Sequence, residues 1–135
     1  MHQTKVVKEP KAKRILVVED DGDMRIVLQD RLLSMGFDVL TESNGHLALS
    51  RIALEAHQSP IQGVLLDLEM PVLSGITLLR ELRDRHPEIA VIAMSAASDT
   101  AQLKEALKLG ARIFLAKPFD RQRDWERIDR IFHND

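Results

Sequence analysis

Near its amino terminus the chain reads Ile15-Leu16-Val17-Val18-Glu19-Asp20-Asp21, an apolar run that stops abruptly at three acids. Four consecutive branched apolar residues predict a short β-strand that is buried on both faces. A helix pattern follows, because apolar residues recur at three- and four-residue spacing from Met24 to Met35, and Gly36 stands where a helix C-cap would lie. The stretch therefore predicts a βα unit with carboxylates just beyond its strand.

The same alternation of strand and helix signals recurs along the rest of the chain. Further strands are predicted over residues 37–41, 63–67, 89–94 and 111–116. An amphipathic helix pattern follows each strand, and Ser98-Asp99-Thr100 is expected to cap the fourth helix. Five alternating βα units require a parallel sheet with helices on both faces and right-handed crossovers. The predicted class is α/β.

Length and composition restrict the kinds of protein that this chain can be. A chain of 135 residues with 44% hydrophobic and 30% charged residues is suited to one globular domain. The absence of cysteine excludes a disulfide framework, a thiolate zinc site and a thiol nucleophile. Because there is no signal peptide and no apolar run near 18 residues, we expect a cytoplasmic protein without membrane contact.

Charge is unevenly distributed between the amino terminus and the remainder of the chain. Residues 1–14 contain five basic side chains and one acid, whereas the remaining residues carry a net charge of −6. An acidic body lacks the basic surface that duplex DNA requires, so no direct DNA binding is expected. We predict that residues 1–12 form a basic, flexible tail and residues 13–135 the folded domain; a weak polyanion contact is the alternative for the tail.

Polar residues follow the predicted strands at the edge where an open parallel sheet carries its site. They are Glu19-Asp20-Asp21, Thr41-Glu42, Asp67, Ser95 and Lys117. Two like charges about 5 Å apart repel by on the order of 3 kcal/mol at an effective dielectric constant of 20, so clustered carboxylates need a cation. Lys117 and a divalent ion are the candidates, and an all-oxygen ligand set suits Mg²⁺. The alternative is that these acids only cap helices and pair with Lys117.

The individual residues of this set have different predicted roles. Glu19 and Asp20 continue the strand and can point into the cleft, whereas Asp21 or Asp23 is better placed to cap the next helix. Ser95 precedes small residues that leave its hydroxyl room to reach a ligand, although a turn serine is the alternative.

Lys117 is held out of helical geometry by the proline that follows it. Its ammonium can therefore reach the carboxylates, and an ordinary strand terminator is the alternative.

Four motifs together resemble the receiver domain of bacterial two-component response regulators over about residues 13–133. In order they are Ile15-Leu16-Val17-Val18-Glu19-Asp20-Asp21, Leu65-Leu66-Asp67-Leu68-Glu69-Met70-Pro71-Val72-Leu73-Ser74-Gly75, Ala93-Met94-Ser95-Ala96 and Lys117-Pro118-Phe119. The resemblance implies a flavodoxin-like (βα)5 fold, a doubly wound parallel sheet with strand order 2-1-3-4-5. It also implies a phosphorylation-activated signalling switch, with a cis peptide bond at Lys117-Pro118.

The resemblance implies a role for each site residue. Asp67 would accept a phosphoryl group from the phosphohistidine of a histidine kinase or a histidine phosphotransfer protein. Mg²⁺ or Mn²⁺ would be held by Glu19, Asp20, Asp67 and the backbone carbonyl of Glu69. Ser95 and Lys117 would contact phosphoryl oxygens. Phe114 would be the switch aromatic, and its alternative is an ordinary core residue.

The resemblance also implies how the signal would leave the domain. The output face would be formed by the fourth helix, fifth strand and fifth helix, and it would bind a downstream protein or a second copy of the chain. Its charged residues here are Lys104, Glu105, Lys108, Arg112, Arg123, Asp124, Glu126 and Arg127. Since the receiver motifs exhaust the chain, no output domain is expected within it. Chemistry would be limited to phosphorylation and dephosphorylation of the protein itself.

The chain departs from the common family pattern in two ways, and two other functions compete. Glu19 stands where many members have Asp, and Glu69 with Ala97 flanks the route for hydrolytic water, where they should tune the phosphoryl lifetime. A haloacid-dehalogenase-like phosphatase would have Asp-x-Asp on its first strand and further acids late in the chain, whereas here an acidic pair follows the first strand and the third strand offers Asp67-Leu68-Glu69. A degenerate receiver that serves only as an interaction module is disfavoured by the complete set Asp20, Asp67, Ser95 and Lys117.

Overall fold

The computed structural model describes residues 12–70, 72–96, 100–119 and 121–134. The predicted basic tail, apart from Ala12, lies outside the described residues, as do Ala97 and the Ser98-Asp99 part of the predicted cap.

Five strands and five helices alternate along the described chain. They are β1 (Arg14–Val18), α1 (Gly22–Ser34), β2 (Asp38–Glu42), α2 (Gly45–Glu55), β3 (Gly63–Asp67), α3 (Gly75–Arg85), β4 (Ala90–Ala96), α4 (Thr100–Lys108), β5 (Ile113–Lys117) and α5 (Gln122–His133). All paired strands are parallel, and their order is β2-β1-β3-β4-β5. The predicted (βα)5 class and strand order are confirmed.

The sheet separates two apolar cores, because successive side chains on a strand point to opposite faces. On β1, Leu16 and Val18 pack with α2, α3 and α4, whereas Ile15 and Val17 pack with α1 and α5. All four residues have no exposed surface. This two-sided burial explains why the strand sequence is continuously apolar rather than alternating.

Element boundaries differ from the prediction mainly near the carboxyl ends of the last two strands. β4 continues through Ala96 and β5 through Lys117, since the backbone ladder pairs Ser95 with Ala116 and Ala96 with Lys117. The predicted strands ended at the last apolar residue, but backbone pairing does not require apolar side chains. Ser95 and Lys117 therefore lie within the last two residues of their strands rather than beyond them.

α1 also begins earlier than the apolar pattern indicated. Its first residue is Gly22, and the Asp21 carboxylate caps it by accepting hydrogen bonds from the backbone N–H groups of Asp23 and Met24. Of the two acids proposed for this role, Asp21 is the one that performs it. The helices within the described ranges are too short or too polar to cross a lipid bilayer.

Candidate functional site

The carboxyl ends of β1, β3 and β5 lie at the same edge of the sheet and bring three of the predicted site residues together. Glu19 follows β1, Asp67 ends β3 and Lys117 ends β5, although these residues are far apart in sequence. Glu19 is fully buried and Asp67 is 1% exposed, whereas Asp20 is exposed to solvent. Two of the acids are thus desolvated, and the third faces solvent at the rim.

Lys117 supplies the positive charge for this buried pair. Its Nζ donates a hydrogen bond to Glu19 Oε1 at 2.6 Å and lies 3.3 Å from Asp67 Oδ2. The peptide bond between Lys117 and Pro118 is cis. One ammonium therefore bridges acids at the ends of two different strands, which is the pairing that buried carboxylates require.

Burial changes the proton affinity of both partners. Burial, and then the hydrogen bond and charge shared with Asp67, raise the pKa of Glu19 from 4.5 to about 7 against the opposing effect of Lys117. For Lys117, burial alone lowers the pKa, but the hydrogen bond to Glu19 and the Asp67 charge outweigh burial and raise it. Lys117 consequently stays charged, while Glu19 sits near the point at which it gains a proton.

Glu19, Asp20 and Asp67 form a candidate metal centre. One carboxylate oxygen from each residue lies within 4.8 Å of the others. An all-carboxylate set with one solvent-facing member fits a hard divalent cation that keeps several of its waters. The donor set therefore fits Mg²⁺ better than a metal that prefers sulfur or imidazole.

Glu69 contacts two other members of the predicted site. Its backbone N–H donates to Asp67 Oδ1 at 2.9 Å. Its side-chain Oε1 accepts from Ser95 Oγ at 2.8 Å and from the backbone N–H of Ala96 at 2.6 Å. These two donors, the Ala96 N–H first, lower the pKa of Glu69 and keep it ionised.

Ser95 is fully buried on β4, and its hydroxyl already has protein partners. Besides Glu69, the Gln102 side chain on α4 lies 2.5 Å from Ser95 Oγ. The sequence predicted that small neighbours would leave this hydroxyl room for a ligand, and a carboxylate of the same chain lies there instead. Neither the Glu69 side-chain contact nor the Gln102 contact was predicted.

Two further residues frame the site. Arg25 on α1 donates from Nη1 to the backbone carbonyl of Glu19 at 2.8 Å, a contact that sequence reasoning missed. The feature of the sequence that could have indicated it is a basic residue in the helix that directly follows the acids.

Phe114 is half-buried on β5 and packs against the core that includes Ala93, its register partner on β4.

Comparison with known proteins identifies the family. The family model for the Response regulator receiver domain matches residues 15–129. The chain belongs to this family. The receiver is 33% identical over 123 residues to the chemotaxis protein CheY of Bacillus subtilis, and the match covers 90% of this chain and 99% of that protein. It is also 39% identical over 107 residues to the DNA-binding transcriptional regulator NtrC of Escherichia coli, covering 78% of this chain but 22% of NtrC.

Solved structures show the same fold in other receivers. CheY in the CheX-CheY-BeF3-Mg+2 complex from Borrelia burgdorferi superimposes with a TM-score of 0.81 at 28% identity, covering 90% of each chain. A receiver domain protein from Clostridium thermocellum gives 0.77 at 32% identity, over 90% of this chain and 92% of that one. The receiver therefore belongs to a family of phosphorylation-dependent signalling switches.

Proposed function

We propose that Asp67 is the residue on which this receiver accepts a phosphoryl group, donated by a histidine kinase or a histidine phosphotransfer protein. The observation that carries the proposal is the buried Asp67 carboxylate with the Lys117 ammonium 3.3 Å away. A carboxylate in this setting is a nucleophile whose added phosphoryl charge already has a cationic partner.

In the proposed transfer, a carboxylate oxygen of Asp67 forms a bond to phosphorus while the phosphorus–nitrogen bond of the donor phosphohistidine breaks. The electron pair of that bond stays on the departing imidazole, which takes a proton from solvent. Lys117 holds the Asp67 carboxylate in place and balances charge on the transferred oxygens. The backbone N–H of Glu69, 2.9 Å from Asp67 Oδ1, fixes the orientation of the same carboxylate.

We assign the metal ligands to Glu19, Asp20, Asp67 and the backbone carbonyl of Glu69. The proximity of the three carboxylates supports this assignment. When bound there, Mg²⁺ or Mn²⁺ would neutralise negative charge on the phosphoryl oxygens. The residues of the chain orient that centre, since Lys117 holds Glu19 and Asp67 while Arg25 holds the backbone of Glu19.

The proposed response starts at Ser95 and ends at the surface. Ser95 would donate a hydrogen bond from its hydroxyl to the phosphoryl group. The resulting movement of β4 would be transmitted to its register partners on β5, including Phe114. A contact that exists in only one state shifts the equilibrium between two states. The face of α4, β5 and α5 would then bind a downstream protein or a second copy of the chain.

Within this proposal residues 13–135 form the receiver and residues 1–12 a basic leader. Its chemistry is confined to gaining and losing its own phosphoryl group, so the protein is not an enzyme acting on other substrates.

Intact-mass spectrometry with a small phosphodonor and Mg²⁺ tests the assignment. Wild type is expected to gain the mass of one phosphoryl group, and Asp67→Asn is expected to gain none. Asp30→Asn, an exposed aspartate on α1, is the matched control and should be phosphorylated like wild type. Equal incorporation into Asp67→Asn would show that another residue is the acceptor, and continuous hydrolysis of phosphomonoesters would favour a phosphatase.

A further inference from the structure

Glu69 connects the proposed phosphoryl acceptor, through its backbone, to the proposed switch hydroxyl, through its side chain. Its backbone N–H contacts Asp67, and its carboxylate oxygen Oε1 receives both Ser95 Oγ and the Ala96 N–H. These are three hydrogen bonds from one residue to the ends of two adjacent strands.

The hydroxyl proton of Ser95 cannot serve two acceptors at once. A serine hydroxyl has one proton to donate, and in this structure Glu69 Oε1 lies 2.8 Å from that oxygen. Gln102 Oε1 lies 2.5 Å from the same oxygen. A phosphoryl oxygen on Asp67 can therefore receive the Ser95 proton only after the oxygen that now accepts it has given it up.

We propose that the Glu69 carboxylate is an internal competitor of the phosphoryl group, holding Ser95 and Ala96 in the unphosphorylated arrangement until phosphorylation displaces it. The proposal rests on the proposed function of Asp67 and Ser95. The Glu69 carboxylate and a phosphoryl group would each offer Ser95 an anionic oxygen, so the hydroxyl can serve as donor to either one.

The exposure of Glu69 makes such an exchange physically accessible. The residue is exposed to solvent, whereas Ser95 is fully buried. The Glu69 side chain can therefore swing into water and be solvated there, which the buried Ser95 side chain cannot do. Repulsion between the carboxylate and a newly added phosphoryl charge would drive the same movement.

Removal of the competitor should strengthen binding of a phosphoryl analogue. We would titrate beryllofluoride, with Mg²⁺ present, into wild type, Glu69→Ala and Glu69→Gln and measure the dissociation constants. Glu69→Ala is expected to bind about tenfold more tightly, the size of one hydrogen bond to a charged group. Glu69→Gln should gain less, because its amide oxygen can still accept from Ser95 and Ala96.

A double-mutant cycle with Ser95→Ala separates competition for the hydroxyl from simple charge repulsion. The gain from Glu69→Ala should shrink by about threefold or more in the Ser95→Ala background. Two results would show that charge repulsion alone explains the gain in affinity, and either would overturn the proposal. One is an equal gain from Glu69→Ala in both backgrounds, and the other is an equal gain from Glu69→Ala and Glu69→Gln. Unchanged or weaker binding by Glu69→Ala would also overturn it.

The ligand-free protein provides a second readout. In Glu69→Ala the amide proton of Ala96 should lose its carboxylate partner and shift upfield, with the remaining spectrum reporting an intact fold. An unchanged Ala96 amide shift would contradict the contact itself. A wild type that binds no beryllofluoride would instead overturn the proposed function, whereas binding by wild type with no effect of Glu69 overturns only the competition.

Discussion

At the scale of single residues, the site depends on one ammonium shared by two desolvated carboxylates. Lys117 contacts Glu19 and Asp67 from the end of β5, which β4 separates from β3. The spacing of the strands therefore sets the distance between the ammonium and the two carboxylates. Loss of this partner would leave uncompensated buried charge, which is costly. Lys117 is therefore both a structural counter-ion and the proposed partner of the phosphoryl group.

Glu19 should make metal binding depend on pH. Its pKa of about 7 lies above the ordinary value of 4.5, so protons compete for this carboxylate as the pH falls below about 7. The affinity for Mg²⁺ is expected to fall by about tenfold between about pH 8 and about pH 6. Calorimetric titration measures this directly.

The control for the pH effect is Glu19→Gln, which cannot titrate at that position. This variant should bind Mg²⁺ more weakly at high pH and show little pH dependence over the same interval. A wild-type affinity that is constant over this interval would mean that Glu19 either does not bind the metal or is fully ionised throughout.

The sequence predicted the gathering of Glu19, Asp67 and Lys117 but not the partners of Ser95. The first follows from topology, because the carboxyl ends of parallel strands share one edge. The second depends on the direction that the exposed side chain of Glu69 takes within the loop after β3, and residue spacing contains no information on that direction. A charged residue two positions after Asp67 was the available signal.

At the scale of elements, the loop between β3 and α3 positions Asp67 by close backbone contact. A Cβ added to Gly75 would lie 2.5 Å from the backbone oxygen of Asp67 and would also overlap Leu68 Cα. The Gly75 N–H donates to the Leu68 carbonyl at 3.2 Å. The start of α3 can therefore approach the end of β3 only because residue 75 has no side chain.

Gly75→Ala should push α3 away from β3. The free energy of unfolding is expected to fall by about 2 kcal/mol, typical of overpacking against backbone that cannot yield. Urea denaturation gives the value. Gly22→Ala is the matched control, because its Cβ would meet only the Arg25 side chain at 3.7 Å. The control should be neutral or slightly stabilising, and equal effects at the two positions would contradict the packing argument.

The elements themselves were predictable because each has an uninterrupted signal in the sequence. The apolar runs of β1 and β3 and the caps at Asp21 and Asn44 are local features. The ends of β4 and β5 were not predictable in the same way. Those ends are set by pairing between strands that are about twenty residues apart, and Lys117 joins the ladder despite its charge.

At the scale of the whole molecule, a single strand, β4, separates the proposed acceptor strand β3 from β5 of the proposed output face. β4 lies between β3 and β5, so Met94 pairs with Asp67 on one side while Ala93 pairs with Phe114 on the other. A movement of β4 at Ser95 would therefore reach both neighbours. The acidic body, which argued against DNA, includes the carboxylates of this site.

The amide spectrum of the receiver, recorded before and after addition of a small phosphodonor with Mg²⁺, tests the switch most directly. The resonances of Phe114 and of α4 are expected to shift in wild type and to stay in place in Asp67→Asn. Ser95→Ala should still take up the phosphoryl group, more slowly, without these shifts. An unchanged Phe114 resonance in wild type that mass spectrometry shows to be phosphorylated would contradict the switch.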